Sequence, residues 1–186
     1  MWSSFLRSLL ILWFSCFLYA CGYTLAEKPT FLNPEWKTIY IPPWKNYTGE
    51  KAVGVLLAQE LRKKIAQDGF LVPVYSPDSA DLILQGEVLK VYVEPVAYAT
   101  FLQTKTRKIQ FEGRFALIER RTGKKIYENP KITRYETYRV AEVTSNLLNP
   151  GKDEALRHLL DPGKDEALRL LVEDLSELIM QELFYR

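Results

Sequence analysis

The stretch TKTRKIQFEGRFALIER, residues 104–120, decides the class of fold that this chain adopts. Along it, apolar side chains recur with a period of two, at Ile109, Phe111, Phe115 and Leu117. The positions that alternate with them are polar and comprise Lys108, Gln110, Glu112 and Arg114. Because successive side chains of a β-strand point to opposite faces, this alternation predicts a long strand with one face on a core.

The segment before this strand, PVYSPDSADLILQGEVLKVYVEP at residues 73–95, predicts a second long strand. Its SPDSAD portion supplies turn and strand-start residues rather than paired catalytic carboxylates. The apolar residues that alternate inward after it are Leu82, Leu84 and Val88. Beyond Gly86 the apolar positions change phase, to Leu89, Val91 and Val93, and such a change indicates a β-bulge or a shift of register.

The segment after the strand turns back tightly and predicts a third long strand. RRTGKK, residues 120–125, is a hairpin turn in which Gly123 occupies the position that needs a positive φ. IYENPKITRYETYRV, residues 126–140, then returns beside its neighbour. Because Pro130 cannot donate a backbone hydrogen bond, it indicates a bulge or the edge of the sheet.

One short strand and one helix precede these three strands. KTIYIPPW, residues 37–44, predicts a short strand that ends at the Pro42-Pro43 pair. The following EKAVGVLLAQELRKKIAQDG, residues 50–69, predicts a helix, because apolar residues recur every four positions at Val53, Leu57, Leu61 and Ile65. Thr48 is a candidate N-cap of this helix, and Gly69 is a natural stop.

A tandem duplication precedes a C-terminal helix. NPGKDEALRHLL at residues 149–160 is followed directly by DPGKDEALRLLV at residues 161–172. Each copy has the residues of a helix start: an N-cap (Asn149 or Asp161), then proline, then acids in the first turn. The second copy leads into a helix to about Tyr185, whose apolar stripe is Leu168, Leu171, Leu175, Leu178, Ile179 and Leu183. We interpret the copies as competing starts of this helix, with the first forming a short helix of its own because Pro162 resists a continuous one.

The resulting order of elements is strand, helix, three strands, helix. A four-stranded sheet, mixed and mostly antiparallel, can bury both helical stripes when the two helices pack on one of its faces. The expected fold is therefore a single α+β domain that extends over residues 37–186.

The N-terminal segment LLILWFSCFLYAC, residues 9–21, is uncharged. Its final cysteine can mark the end of a membrane-spanning anchor, one half of a disulfide or a processing site. As a helix it is about 20 Å long, which is shorter than the roughly 30 Å hydrocarbon core that a spanning anchor must cross. Arg7, the apolar run and Ala20 instead indicate a signal peptide at residues 1–20. Cleavage before Cys21 leaves one cysteine in the mature chain, which excludes an internal disulfide. A single membrane span remains the alternative.

Cys21 is the expected site of lipid attachment. LYAC, residues 18–21, resembles the bacterial lipoprotein signal, in which a leucine and a small residue precede the lipid-bearing cysteine, although Tyr19 departs from it. The resemblance implies that Cys21 becomes the N-terminus and carries covalent N-acyl and S-diacylglycerol groups, with no other cofactor. Two or more acyl chains hold a domain stably on a membrane. Gly22 is typical of outer-membrane sorting, and residues 21–36 would form the tether.

The composition of the mature chain favours a binding module over an enzyme. Without residues 1–20 the formal net charge is +1, which argues against a nucleic-acid binder. His158 is the only histidine, and the sequence contains no CxxC, GxGxxG or P-loop motif. We therefore expect no catalytic residues and no metal site.

Two groups of basic residues are the candidate ligand-binding positions. The first group opens the long central strand and consists of Lys105, Arg107 and Lys108. The second group surrounds the following turn and consists of Arg120, Arg121, Lys124 and Lys125. Such residues would provide charge-assisted hydrogen bonds to the phosphates of a lipid headgroup. The alternative is an ordinary charged strand face, since lysines at sheet edges deter aggregation.

The apolar loop at residues 95–103, PVAYATFLQ, allows two interpretations. An apolar and aromatic loop between two strands can form a lid on the core of its own domain. It can also insert into a partner, since exposed apolar patches mark interaction sites. The sequence favours neither of these roles over the other.

Four segments together resemble the LptE family of outer-membrane lipopolysaccharide-assembly lipoproteins. They are ACGYTL at residues 20–25, IYIPPWKNYTGEKAVGVLLAQELRKKI at 39–65, SADLILQGEVLKVYV at 79–93 and ALRLLVEDLSELIMQEL at 167–183. The resemblance implies a domain that plugs the lumen of the β-barrel LptD, assists its assembly and binds lipopolysaccharide directly. It also implies a lipid-anchored location on the periplasmic face of the outer membrane. The alternatives are a lipoprotein that regulates a periplasmic cell-wall synthase and a lipoprotein subunit of a secretion complex.

Overall fold

The computed structural model describes residues 32–98, 104–140 and 162–185. In chain order they form β1 (Thr38–Tyr40), β2 (Lys45–Asn46), α1 (Val53–Asp68), β3 (Val72–Val74), a 3₁₀ turn (Pro77–Ser79), β4 (Leu82–Tyr98), β5 (Thr104–Glu119), β6 (Lys125–Arg139) and α2 (Pro162–Phe184). Neither of these two helices has the length and apolar composition that crossing a bilayer requires. The predicted signal peptide, Cys21, most of the predicted tether, the end of the apolar loop and the first copy of the duplication lie outside the described residues.

The strands form one mixed sheet in the order β3-β1-β4-β5-β6. β1 is parallel to both β3 and β4, with Ile39 opposite Leu82. β2 is also parallel to β4 and pairs with it further along the same edge, where Lys45 lies opposite Glu87. β4, β5 and β6 form an antiparallel meander. The predicted α+β class, with a mixed sheet and two helices, is therefore confirmed.

The sheet has six strands in the described ranges, whereas the sequence predicts four. The two additional strands are β2, which has two residues, and β3, which has three residues with Pro73 at its centre. Neither is long enough for an alternation of period two to be recognised. β3 lies at the outer edge of the sheet, which is where a strand tolerates proline.

The irregularities that the sequence predicts in the long strands are present. The register between β4 and β5 shifts between Val88 and Lys90, so Leu89 is the extra residue of a bulge. The register between β5 and β6 shifts opposite Arg114, where Pro130 lies. In the turn between β5 and β6, Gly123 has a φ of +72°. These features set which side chains face each other across the three strands.

Helix α1 ends where the sequence predicts but begins later. Gly69 follows its last residue with a φ of 75°, and the Gly69 N–H donates to the carbonyl of Ile65. The N-cap position is Ala52, which makes no side-chain hydrogen bond. The N-cap expected at Thr48 is therefore wrong. The Thr48 hydroxyl instead donates to Asn46 Oδ1 at 2.8 Å and stabilises the turn before the helix.

Both helices pack on one face of the sheet and bury its apolar side chains. The strand residues predicted for the core are all buried: Leu82, Leu84, Val88, Ile109, Phe111, Phe115 and Leu117. The helical stripes meet them, with Val53, Leu57, Leu61 and Ile65 from α1 and Leu168, Leu171, Leu175, Ile179 and Leu183 from α2. Glu182 of α2 accepts hydrogen bonds from the Tyr127 hydroxyl at 3.0 Å and the Asn129 amide at 2.7 Å, which holds α2 over β6.

The side chain of Trp44, directly after the proline pair, packs on β4 and β5. The face of its ring lies over Gly86, and the ring stacks on Phe115 with centroids 6.0 Å apart. A Cβ on Gly86 would come within 2.3 Å of the Trp44 ring, and a Cβ on Gly54 within 2.4 Å of the Trp44 carbonyl oxygen. Both glycines therefore make room for the tryptophan.

Candidate functional site

Most side chains on the face of the sheet opposite the two helices are polar and are exposed or half-buried, although Ala116 is buried. These side chains form rows across the strands, because residues paired directly in antiparallel strands share a face. In order along the strands, the rows are Gln85–Ala116–Glu128, Glu87–Arg114, Lys90–Glu112–Thr133, Tyr92–Gln110–Tyr135 and Glu94–Lys108–Thr137. We call this surface the open face and consider it the candidate interaction site.

At the end of the open face nearest the β5–β6 turn, two basic side chains form ion pairs with carboxylates. Arg114 donates to Glu87 Oε2 from Nε at 2.9 Å and from Nη2 at 2.6 Å. The hydrogen bonds to this carboxylate, and then its charge, raise the pKa of Arg114. Lys125 lies 2.6 Å from Glu128. Exposed pairs of this kind add little stability, so their main effect is to neutralise the surface.

Ion pairs continue toward the other end of the open face. Glu112 lies between two lysines, with its carboxylate 3.8 Å from Lys90 and 3.6 Å from Lys131. In a further row, Lys108 lies 3.1 Å from Glu94. The charges of the open face therefore alternate in sign and are nearly balanced, which suits a polar partner better than an apolar one.

A groove of about 360 Å³ lies on the open face beside the Pro42-Pro43 pair. The two prolines, Gln85 and Ala116 are among the uncharged residues that line it. The charged residues that line the groove are Lys45, Glu87, Arg114, Lys125 and Glu128. Of its three cations, Arg114 and Lys125 are paired as described above. Lys45 has no ion-pair partner among the residues that the structure describes, so it is free to bind an anionic group.

The first basic group that the sequence predicts is divided between the two faces of the sheet. Lys108 lies on the open face, where its ammonium is also 5.6 Å from the centre of the Tyr135 ring. Arg107 lies in register with Tyr138 on the face that the helices cover. Lys105 belongs to β5, and its side chain is outside the described residues. The structure therefore does not bring Arg107 and Lys108 together, as the period of two in a strand already implies.

The second basic group lies at the turn between β5 and β6. Arg120 donates from Nε to the carbonyl of Ala80 at 2.6 Å, and Lys125 forms the ion pair described above. Arg121 and Lys124 are exposed, and neither side chain has a partner in the ranges that the structure describes. Arg121 and Lys124 are therefore the members of this group that are available to a ligand.

The two basic groups lie at opposite ends of β5. The stretch of β5 between Lys108 and Arg120 is roughly 40 Å long at ~3.3 Å per residue. One phosphate group cannot contact both ends. A ligand that uses phosphate recognition must therefore bind to one group or extend along the whole strand.

Acidic residues before β4 serve the fold. The Asp81 carboxylate accepts hydrogen bonds from the N–H groups of Lys37 and Thr38. Ser76 caps the 3₁₀ turn, with its hydroxyl accepting from the N–H of Asp78 at 3.3 Å. These contacts confirm that SPDSAD supplies turn and strand-start residues. In the described part of the chain, no group of three or more His, Cys, Asp or Glu side chains is placed to hold a metal ion.

Sequence reasoning missed several residues of the open face, notably Lys45, Gln85, Tyr92 and Tyr135. It placed the polar positions of β5 on the correct face, because that placement depends only on alternation. Their neighbours on β4 and β6 depend on register, which a single strand does not reveal. The one available signal was charge, since opposite charges favour cross-strand pairs.

Solved structures of bacterial lipoproteins align with much of this chain at low similarity. The minor lipoprotein from Acinetobacter baumannii aligns with 15% identity and a TM-score of 0.45, over 80% of this chain and 90% of its own. Rare lipoprotein B from Shewanella oneidensis aligns with 13% identity and a TM-score of 0.45, over 77% and 92%. Lipoprotein GNA1162 from Neisseria meningitidis aligns with 10% identity and a TM-score of 0.43, over 78% and 99%. No curated protein sequence matches the chain.

A family comparison covers all of the strands and both helices described above. The model of the LptE lipopolysaccharide-assembly family matches residues 36–186. The match begins just before β1 and includes the segments at 39–65, 79–93 and 167–183 that carry the resemblance in the sequence. A match of this extent confirms the resemblance. The chain therefore belongs to the LptE family of lipopolysaccharide-assembly proteins.

Proposed function

We propose that this protein is an outer-membrane lipoprotein that plugs the lipopolysaccharide-translocating barrel LptD. In this role it assists assembly of the barrel and the insertion of lipopolysaccharide into the outer leaflet. The observation that carries the proposal is the family match over residues 36–186. Membership of an assembly family favours a binding and scaffolding module, so the proposal includes no catalytic residue.

The proposed membrane anchor is the lipid on Cys21. Residues 1–20 are removed as a signal peptide, and the new N-terminus carries N-acyl and S-diacylglycerol groups. Residues 21–36 then connect the anchor to β1, which begins at Thr38. At ~3.4 Å per residue, a fully extended tether of this length reaches roughly 55 Å. The domain therefore stays near the periplasmic face of the outer membrane.

The end of the open face nearest the β5–β6 turn suits contact with the wall of a barrel. The interior of an outer-membrane barrel with a plugged lumen is polar. Arg114 and Lys125 would bring their own counter-ions, Glu87 and Glu128, into such a contact. Because a buried charge without a partner is strongly destabilising, a surface with paired charges can be enclosed at less cost than one with free charges.

Direct binding of lipopolysaccharide is proposed to use its phosphate groups. Arg121 and Lys124 at the β5–β6 turn are the first candidates, because they are exposed and have no partner among the described residues. The residues of the first basic group, Lys105, Arg107 and Lys108, are the other candidates. Lys108 would have to leave Glu94 to bind a phosphate, which makes this group the weaker candidate.

Affinity purification of the full-length protein after detergent extraction tests the proposed function. We expect LptD to co-purify with it, and not with an unrelated outer-membrane lipoprotein purified in parallel as a control. Recovery of a peptidoglycan synthase without a barrel would instead indicate a regulator of cell-wall synthesis. Recovery of secretion-complex subunits without LptD would indicate the third function, and either result would overturn the proposal.

A further inference from the structure

One row of the open face differs from the others in its chemistry. Tyr92 of β4, Gln110 of β5 and Tyr135 of β6 are paired directly, so their side chains stand side by side. Adjacent strands lie about 4.8 Å apart, which places the two tyrosines about 10 Å from each other with the glutamine between them. Tyr92 is 39% exposed and Tyr135 is 63% exposed. We call these three residues the tyrosine row.

The polar groups of the tyrosine row have no hydrogen-bond partner in residues 32–98, 104–140 and 162–185. The Gln110 amide offers two donors and one acceptor, and each phenol offers one donor and one acceptor. The Lys108 ammonium lies 5.6 Å from the centre of the Tyr135 ring. Three adjacent side chains whose polar groups have no partner in the described part of the protein are therefore available to one ligand in exchange for water.

The rows on either side of the tyrosine row have nearly balanced charge. On one side Glu112 lies between Lys90 and Lys131, and on the other side Lys108 is paired with Glu94. A ligand over the tyrosine row would thus meet cations that already have carboxylate partners. This arrangement disfavours a phosphate or carboxylate ligand and favours a neutral one that is rich in hydroxyl groups.

From this geometry we propose that the tyrosine row binds a neutral saccharide chain that lies across β4, β5 and β6. The face of an aromatic ring is the negative part of its quadrupole and attracts the polarised C–H groups of a pyranose ring. Gln110 donates to sugar hydroxyls through its NH₂ group and accepts from them through its carbonyl. A disaccharide covers the distance between the two tyrosines, so both rings and the amide can contact one chain.

The tyrosine row is separate from the positions proposed for phosphate recognition at the β5–β6 turn. The stretch of β5 from Gln110 to Glu119 is roughly 30 Å long at ~3.3 Å per residue. The saccharide can come from lipopolysaccharide itself or from the glycan strands of the cell wall, which present the same hydroxyl chemistry. The inference about the row does not depend on the proposed partnership with a barrel.

Calorimetric titration of the full-length protein in detergent, with three probes, tests this inference. The probes are the lipid-free, dephosphorylated saccharide of lipopolysaccharide, an N-acetylglucosamine oligomer, and lipid A. We expect one of the two saccharides to bind, and Tyr135→Ala and Gln110→Ala each to weaken that binding by about tenfold, the loss expected for about one hydrogen-bonding contact. Tyr135→Phe keeps the ring and should weaken binding less than Tyr135→Ala.

Tyr75→Ala is the matched control, because Tyr75 is 90% exposed and follows β3 at the other edge of the sheet. It should leave saccharide binding unchanged. Binding of the lipopolysaccharide saccharide identifies that molecule as the source, and binding of the N-acetylglucosamine oligomer identifies the cell wall.

Three results would overturn the inference. The first is binding of lipid A without either saccharide, which leaves the proposed function intact. The second is saccharide binding that Tyr135→Ala and Gln110→Ala do not weaken, with thermal unfolding showing both variants folded. The third is loss of LptD co-purification in these variants without any saccharide binding, since the row would then be a protein contact.

Discussion

The side chain of Asp81 connects the start of β4 to Thr38 at the start of β1. Its Oδ2 atom accepts from the Thr38 hydroxyl at 2.9 Å, from the Thr38 N–H at 3.0 Å and from the Lys37 N–H at 2.8 Å. These hydrogen bonds, led by the one from Lys37, lower the pKa of Asp81 below its usual value of 3.8. The parallel β1–β4 pair therefore depends on an ionised carboxylate.

We expect Asp81→Asn to lower the free energy of unfolding by about 1–2 kcal/mol at pH 7, because charge-assisted hydrogen bonds become neutral ones. The folded protein has the lower pKa, so the unfolded chain binds more protons in acid. The stabilisation from Asp81 is thus complete well above pH 3.8 and is lost as the pH falls below about 4.

Urea unfolding at pH 7 and pH 3 measures this effect. The difference in the free energy of unfolding between wild type and Asp81→Asn should be smaller at pH 3 than at pH 7. Asp78→Asn in the nearby 3₁₀ turn is the control and should leave stability nearly unchanged at both values. A difference for Asp81→Asn that is as large at pH 3 as at pH 7 would contradict the assigned role of the charge.

Gly86→Ala should destabilise the protein, because the added methyl group would lie within 2.3 Å of the buried Trp44 ring. Overpacking of this kind typically costs about 1–3 kcal/mol. The matched control is Gly49→Ala, since a Cβ at Gly49 meets no atom within 4 Å. Thermal unfolding should show a lower midpoint for Gly86→Ala alone, and equal midpoints for the two variants would show that Trp44 can move aside freely.

Deletion of residues 149–160, the first copy of the duplication, should not reduce thermal stability. The start of α2 lies against the end of β6, where a Cβ on Gly163 would be 2.7 Å from the carbonyl oxygen of Arg139. The connection therefore has little distance to span, and shortening it by about half lowers the closure cost by about 0.6 kcal/mol. The second copy keeps the ion pair between Lys164 and Glu50.

Differential scanning calorimetry of the deletion variant provides the measurement. A midpoint equal to or slightly above that of wild type is expected. A drop of many degrees would mean that the first copy stabilises the domain and is not a redundant helix start. Deletion of residues 149–172, which removes both copies, is the contrasting variant and should destabilise strongly, because nothing then replaces the buried Ala167, Leu168, Leu171 and Val172.

Cys21→Ala should abolish lipid attachment while leaving the domain folded. Without the acceptor thiol, we expect the precursor to retain residues 1–20 and to lack incorporated palmitate in metabolic labelling. The circular dichroism spectrum and unfolding midpoint of the domain should match those of wild type, because β1 begins at Thr38. Palmitate incorporation in Cys21→Ala would place the lipid on another residue.

Charge reversal at Arg121 and Lys124 should weaken binding of lipopolysaccharide by about tenfold or more, because each charge-assisted hydrogen bond contributes roughly 1.5–3 kcal/mol. The control is reversal at Lys63 and Arg169, which lie on the helical side and change the net charge equally. Charge reversal at Lys105, Arg107 and Lys108 tests the first basic group. Binding that is equal in all variants would leave both groups as ordinary charged surface.

The long elements could be predicted because their signals are local. The alternation at Ile109 and Phe111, the period of four from Val53, and the glycine stops depend only on residues close in the chain. The same reasoning predicted the bulge near Leu89 and the irregularity at Pro130. β2 and β3 escaped prediction, because strands of two and three residues carry no period and are held mainly by their neighbours.

The candidate site was predicted less completely than the fold. The sequence indicated Arg121 and Lys124, and both are exposed. It grouped Arg107 with Lys108, although adjacent strand residues point to opposite faces. It did not indicate that Lys108 is neutralised by Glu94 on the neighbouring strand β4, or that Lys125 is neutralised by Glu128, three residues along the same strand.

The amino-acid sequence alone therefore establishes the α+β class, the inward and outward positions of each long strand, and the resemblance to the LptE family. Tertiary structure decides which outward residues become neighbours, and so it creates the ion pairs and the row of Tyr92, Gln110 and Tyr135. The reason is register. The bulges at Leu89 and Pro130 each change the pairing by one residue, and a slip of one residue moves a side chain to the opposite face of the sheet.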